Sequence, residues 1–515
     1  VQSLPQSAPP SVAAWRSDAF AGTTTAVVLI PQAMAYALVA GLPPVHGLYA
    51  AMLPLVGYAL VGRSRELAVG PGALDSLLVG TGLASLAFVT ETTWVAWAAI
   101  LAVMTGTIQL TLAALRAGFL VNFLSRPVIN GFTSAAALVI ALGQVRTLLG
   151  LPIPSEHAVG RMLASTVGAL PELHVPTAVV GVGSVVALVG LRRWRRRFPG
   201  PLVLVVGLAA VSWAFDLAAQ GVSVIGTLPV GVPKFERVDV GWAEIQALLP
   251  TALTVAFVGY LTMISIGQTF ANRRGVALNA NRELAAAGVA NVLAGVSRAF
   301  PVSASFSRSS VHADAGPATP RALIVTAGWI LLVLIALGPL LGPLPRAVLS
   351  AIILVAVLGL VDTATPRRLW RVKRADALLL GLTFVATLGI GIERGVLVGV
   401  AASLALLIVR TTRPHAAVLG RVGDSTDFRN VANYPNAIVV PGVLVLRIDA
   451  QFYFGNVTFL RELLQRLERE ASSPLHAVVL DASSMNQLDS SANDALAEIA
   501  ADYERRGIRF VFAQV

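Results

Sequence analysis

Asp75 and Arg308 each stand alone in an uncharged, apolar stretch, Asp75 four residues after Pro71 and Arg308 seven after Pro301. The two prolines have matching settings, Val69-Gly70-Pro71 and Phe300-Pro301-Val302, and each setting predicts the start of a short helix. A helix N-terminus exposes unpaired backbone N–H groups and the positive end of a macrodipole. Two such ends facing each other form an anion site without a full positive charge. The small residues beside them, Gly70, Gly72, Ala73, Ser303 and Ala304, let a ligand approach the backbone closely. A Gly/Pro helix start is common anywhere, so the feature counts because it occurs twice.

Arg308 would add an electrostatic pull on an anion; the competing reading is an arginine snorkelling to the interface or paired structurally with an acid. Asp75 also has two readings, since burial and a nearby Arg308 pull its protonation in opposite directions. In one, it takes up a proton as an anion arrives, leaving Arg308 and the dipoles free for the ligand. In the other, it is a helix-start acid satisfying its own N–H groups. Gln32 and Tyr36, at i and i+4, share one helix face. Gln32 can hydrogen-bond a ligand, and Tyr36 can wall a pocket or simply pack.

These residues need elements to hold them, and composition says which kind. Of 515 residues, 56% are hydrophobic and 13% charged, and the mean hydropathy is +0.76. A soluble domain carries about 25% charged residues, so much of this surface must face lipid. A helix across the hydrocarbon core needs about 20 apolar residues. Residues 19–62 hold no Asp, Glu, Lys or Arg and make room for two spans, broken at Gly41-Leu42-Pro43-Pro44. Further uncharged runs are 92–115, 127–145, 173–191, 198–215, 245–272 and 322–345, with shorter ones at 76–90, 284–297, 347–361, 377–392 and 395–409. With 306–313 as one more short helix, the expected number is fourteen.

The net charge of +11 is laid out for a membrane rather than for nucleic acid. Basic residues follow the even-numbered spans: Arg63 and Arg65, Arg116, Arg192 to Arg197, Arg273 and Arg274, Arg367 to Arg374, then Arg410 and Arg413. Arg146 and Arg394 are exceptions on the other side. This asymmetry places both termini in the cytoplasm. The two proline settings lie 230 residues apart, an offset that sets Gln32 against Thr262 in the middle of two long spans. A seven-span unit has an odd number of crossings, so its copy must be inverted. Paired, interrupted segments in such copies point to a transport site at the midplane.

Ile30-Pro31-Gln32-Ala33-Met34-Ala35-Tyr36-Ala37, followed by Gly41-Leu42-Pro43-Pro44-Val45-His46-Gly47-Leu48-Tyr49, resembles the opening signature of the sulfate permease (solute carrier 26) anion transporters. Leu67-Ala68-Val69-Gly70-Pro71 resembles the family's lead into its third helix. Asn281-Arg282-Glu283-Leu284, Gly288, Asn291, Pro301 and Ser305-Phe306-Ser307-Arg308-Ser309 resemble the block leading into its tenth. The resemblance implies an α-helical membrane protein of fourteen transmembrane segments, arranged as two inverted seven-helix repeats with core and gate domains. It also implies a C-terminal α/β STAS domain, a homodimer, and an anion held between helices 3 and 10 by the residues named above with Thr262 and Ser307. Three positions depart from the common pattern. Asp75 stands where many relatives are apolar. Thr262 stands where many bacterial relatives carry a glutamate, so Asp75 is the candidate to have taken over coupling. Gly72 stands where animal relatives tend to have phenylalanine, which favours a roomier pocket and leans toward carboxylates or dicarboxylates.

The expected organisation is a cytoplasmic segment 1–17, which lacks the apolar core of a signal peptide, and a transport domain 18–412. Its repeats run from about 18 to 220 and from about 244 to 412, followed by a polar linker 413–438 and a STAS domain 439–515. Phe452 to Asn456 and Asp489-Ser490-Ser491 match STAS landmarks, and the domain reads as truncated because the chain ends on a strand. Ser490 or Ser491 resembles a serine phosphorylated in bacterial anti-sigma antagonists, or is a helix N-cap. With no cysteine, no metal cluster and no nucleophile triad or nucleotide loop, neither an enzyme nor a cofactor is expected. The expectation is proton-coupled symport of a carboxylate, dicarboxylate, sulfate or bicarbonate across the inner (plasma) membrane, with a cytoplasmic partner open to the STAS domain. An exchanger, an anion channel, a membrane sensor and a nucleobase transporter are the alternatives, the last disfavoured because span 8 has no carboxylate.

Overall fold

The computed structural model describes residues 12–84, 86, 90–119, 125–153, 159–194, 199–227, 231, 241–423 and 425–514. The expectations for 1–11 and for Arg195, Arg196 and Arg197 lie outside the described residues. Two compact units divide the chain, 1–400 and 401–515.

The first run of elements is α1 (Val12–Val39), α2 (Pro44–Ala50), α3 (Leu53–Val61), strand β1 (Val69–Gly70), α4 (Ala73–Ala84) and α5 (Glu91–Ala114). Next come α6 (Arg126–Leu149), α7 (Val159–Gly168), α8 (Val175–Trp194) and α9 (Gly200–Ala214). The pattern then repeats as α10 (Trp242–Arg274), α11 (Ala280–Val296), strand β2 (Ser303–Ala304) and α12 (Phe306–Asp314). A helix follows that runs from α13 (Ala322–Leu332) through a π-turn (Val333–Leu337) into α14 (Gly338–Leu341). α15 (Arg346–Leu358), α16 (Ala364–Val372), α17 (Arg374–Ile390) and α18 (Ile392–Thr412) complete the helical part.

Local sequence explains the breaks. Pro44 opens α2 at the position where a missing N–H costs nothing, Thr90 caps α5 by accepting from the Thr93 N–H, and Gly275 ends α10 in the left-handed region. Taking α2–α3 and α13–α14 as one span each and setting aside the short α7 and α16, the described helices of this part give fourteen segments. Eight of the described spans are long and apolar enough to cross a membrane alone. α4 and α12 are not: with 12 and 9 residues they reach about 18 and 14 Å, against about 30 Å of hydrocarbon.

Packing sorts the helices into two groups. α1 to α5 pack with α10 to α13, led by α5 against α11, whereas α6, α8 and α9 pack with α15 and α17. Small residues allow the closest approaches: a Cβ on Gly106 of α5 would lie 2.6 Å from the Gly288 carbonyl oxygen of α11. α1 bridges the groups by touching α9 and α15, and α4 does so by touching α6.

In the second unit, β3 (Ala416–Val422), β4 (Phe428–Asn430), β5 (Ala437–Ile438), β6 (Val443–Ile448), β7 (Ala477–Asp481) and β8 (Arg509–Ala513) form one sheet. Its order is β4-β3-β6-β7-β8, with β5 also on β3; β6, β7 and β8 run parallel and β3 is antiparallel to β6. α19 (Val457–Glu470) and α20 (Ser490–Arg505) cover it, with Leu446, Ile448, Leu460, Leu464, Leu480 and Leu496 among the buried core. Residues 413–438, expected as a linker, are therefore corrected: they supply β3, β4 and β5, and β3 is an interior strand of the sheet. The two STAS landmarks come together, since the Phe454 N–H donates to Asp489 Oδ2 at 3.0 Å. The N-cap of α20 is Asp489, whose Oδ1 accepts from the Ala492 N–H at 2.7 Å, and neither Ser490 nor Ser491 takes that role.

Candidate functional site

β1 and β2 are two residues each, and they pair antiparallel with Val69 opposite Ala304 and Gly70 opposite Ser303. That ladder sets the starts of the half-length helices α4 and α12 side by side, because each helix begins within three residues of its strand. Asp75 is the third residue of α4 and Arg308 the third of α12. Although Arg308 follows its proline by seven residues and Asp75 by four, the two sit equally near their helix starts, because α12 begins only at Phe306 and α4 already at Ala73.

Both strands are anchored from behind. Asn291 of α11 accepts from the Val302 N–H at 2.7 Å and donates to the Val302 carbonyl at 3.1 Å and to Gln109 Oε1 at 2.9 Å. Gln109 in turn donates to the Ala256 carbonyl of α10. Glu283, also on α11, accepts from Tyr58 Oη at 2.7 Å and from the backbone N–H groups of Arg63 and Ser64 at 3.1 and 3.2 Å. This fixes the loop between α3 and β1. Burying a carboxylate is costly without such donors, and here three of them meet it.

Arg308 is completely buried and braces the ladder. Its Nε donates to the Ala68 carbonyl at 3.0 Å, Nη1 to Pro71 at 2.9 Å and Nη2 to Ser303 at 3.3 Å. Ser309 Oγ accepts from the Ala68 N–H at 3.0 Å. Among the described residues no ion pair joins Arg308 to Asp75. Three backbone carbonyls, not a carboxylate, accept the guanidinium's hydrogen bonds. What remains is a fixed positive charge just behind two helix starts.

Asp75, 2% exposed, accepts a hydrogen bond on Oδ2 from Ser303 Oγ across the ladder. Its Oδ1 has no hydrogen-bond partner among the described residues. Gly259 of α10 backs that oxygen and Gly72 backs the other: a Cβ there would lie 3.2 Å from Oδ1 or 2.5 Å from Oδ2. Ala73 and Ala304 are buried beside it. Gln32 and Tyr36 are buried on α1, with Gln32 Oε1 lacking a partner among the described residues and Tyr36 within electrostatic reach of Arg308. Thr262 is half-buried one turn after Gly259, and its hydroxyl donates back to the Val258 carbonyl. Ser307 is not brought in: it is exposed and pairs with Ser305.

Several contributors escape a reading of motifs alone. Gly259 looks like any helix glycine, Gln109 like a stray polar residue, and Ser309 is overshadowed by its neighbour. His312, one turn after Arg308 and fully buried, shares a 2.6 Å hydrogen bond with Thr25 Oγ1 of α1 and so ties α12 to α1. The available signal was the number of polar residues within apolar spans.

A bundle whose two half-length helices start back to back inside the apolar layer has the architecture of an inverted-repeat secondary transporter. Particular relatives agree. The chain belongs to the sulfate permease family, whose profile matches residues 15–383, and a STAS domain profile matches residues 434–515. It is 35% identical to the chloroplastic sulfate transporter 4.1 of Arabidopsis thaliana, over 97% of this chain and 75% of that one. It is 36% identical to a Mycobacterium tuberculosis protein named a probable sulfate transporter, over 97% of this chain and 89% of that one. The structure of the murine solute carrier 26 member A9 anion transporter in its inward-facing state superposes with a TM-score of 0.90 at 26% identity, over 99% of this chain and 86% of that one. The protein is thus a multi-pass integral membrane transporter of anions, with a C-terminal STAS domain, and not an enzyme.

Proposed function

We propose that the chain is a proton-coupled symporter of small anions, with the anion held between the starts of α4 and α12. The observation that carries this is Asp75: a buried carboxyl at the mouth of the site, one oxygen held by Ser303, the other without a hydrogen-bond partner and the group without a paired cation among the described residues. A proton arriving on Oδ1 removes a negative charge as the anion enters, so the two move together. Backbone N–H groups around Gly72, Ala73, Ser303 and Ala304 hold the anion, with Arg308 supplying the field behind them. Gln32, Tyr36 and Thr262 line the remaining sides. Gly72, where animal relatives tend to carry phenylalanine, leans the reading toward a carboxylate or dicarboxylate, and the names of the relatives add sulfate to a panel that also holds bicarbonate. We place the chain in the cell's inner (plasma) membrane as a homodimer, with both termini cytoplasmic, as its arginine clusters favour.

The test is uptake of radiolabelled sulfate, bicarbonate, succinate and chloride into proteoliposomes, with and without an inward proton gradient. Accumulation of one anion that collapses with the gradient supports symport. Flux indifferent to the gradient overturns it and leaves an exchanger or a channel-like conductor.

A further inference from the structure

Arg146 breaks the charge asymmetry of the spans, and the structure shows what surrounds it. It lies in the last turn of α6 and lines a cleft of about 800 Å³ together with Arg346, the first residue of α15, and His174, just before α8. Glu91, at the start of α5, is the one acid among the described residues of its wall. The lining segments lie on the face opposite the arginine clusters: the α1–α2 turn, the start of α5, the end of α6, the start of α8, the chain at 221–227 after α9, and the start of α15. The cleft therefore lies on that face of the helical part.

Its walls are built rather than loose. Gly150 closes α6 in the left-handed region with φ 67°, and a Cβ there would come within 2.9 Å of His174 and Thr177. His174 Nδ1 shares a 2.7 Å hydrogen bond with Thr177 Oγ1. Arg146 Nη1 donates to the Ile153 carbonyl at 3.1 Å, and Arg346 Nε to the Val224 carbonyl at 3.2 Å. Each guanidinium is thus pinned by one nitrogen, and its other donors meet no acceptor among the described residues. Neither arginine is ion-paired to Glu91 among those residues. Two pinned guanidiniums in one cleft, flanked by the starts of α8 and α15, supply the kind of paired N–H donors by which oxyanions are held.

We propose that this cleft is a second anion site, one that captures a carboxylate or sulfate from the face opposite the arginine clusters before it reaches Asp75. The inference rests on the reading that anions are the cargo, but its test does not need transport. The full chain in proteoliposomes is treated with a membrane-impermeant sulfonated phenylglyoxal, which modifies exposed arginines, with sulfate or succinate present or absent. Modification is read residue by residue by mass spectrometry, with the exposed Arg161 on the same face as internal reference.

We expect either anion, at on the order of 1 mM, to slow modification of Arg146 and Arg346 at least about threefold while Arg161 is unchanged. In Arg346→Gln the protection of Arg146 disappears, and in Arg346→Lys, which keeps the charge, part of it stays. Equal modification with and without anion, or equal protection at Arg161, overturns the site. Protection in a protein that moves no anion overturns the transport reading and leaves the cleft standing. Intact flux without protection does the reverse.

Discussion

Asp75 fits where it does because its neighbours are glycines. A Cβ on Gly72 would press to 2.5 Å from Oδ2, so Gly72→Ala must displace the carboxyl from Ser303. We expect uptake to fall about tenfold, the equivalent of about 1.4 kcal/mol in the barrier, measured as initial rate in proteoliposomes. Asp75→Asn keeps the shape and cannot take up a proton; it should bind anion and lose the dependence of uptake on the proton gradient. Unchanged proton dependence in that variant ends the role proposed for Asp75. Arg308→Lys separates brace from charge. A lysine keeps the positive field but cannot offer a planar fork to three carbonyls, so low thermal stability and lost uptake are expected, whereas retained uptake would mean that charge alone suffices. Arg308 and Asp75 were legible in the sequence as charges in apolar runs. Their partners were not: Ala68 and Pro71 lie well over 200 positions from Arg308, and no local pattern encodes a carbonyl's acceptor geometry.

The half-length helices depend on what holds their leading strands. Asn291 satisfies both backbone groups of Val302 and Gln109 Oε1 at once, so Asn291→Ala takes a partner from three buried groups. A loss of at least about 3 kcal/mol is expected at roughly 1–3 kcal/mol per unsatisfied group, read as a lower midpoint of thermal unfolding in detergent. A variant as stable as the parent would show that water replaces the amide. At this scale the uncharged runs located the spans well, since a membrane leaves a coarse signature: 127–145 became α6 at Arg126–Leu149 and 92–115 became α5 at Glu91–Ala114. The strands were harder. β1 and β2 are two residues long, below any periodicity, and β3 reads as polar linker until its pairing with β6, Ala416 opposite Ile448, gives it a buried face.

Across the whole molecule, the membrane part and the C-terminal unit answer to different solvents. The tail follows the rules of a soluble α/β domain, and acid tests it. Burial alone would push Asp449 up, but hydrogen bonds from Arg447 at 2.7 Å and His415 at 2.9 Å outweigh it and hold the carboxyl below its ordinary value. The stability this gives is present above the ordinary aspartate value, about 3.9, and is lost as the pH falls through the lower folded value. Amide exchange in β3 and β6 should therefore quicken as the pH drops below about 4, and Asp449→Asn should remove that step. A quickening that survives the substitution assigns it to another group. The Val69–Ala304 ladder has a consequence of another kind, in time. The partners of Val69 and Gly70 are made more than 230 residues after them, which at about 5–20 residues per second is a delay of roughly 12–50 s. During synthesis the first half of the transporter must wait in the bilayer with those backbone groups, and the carbonyls that Arg308 will claim, still open to water or to a chaperone.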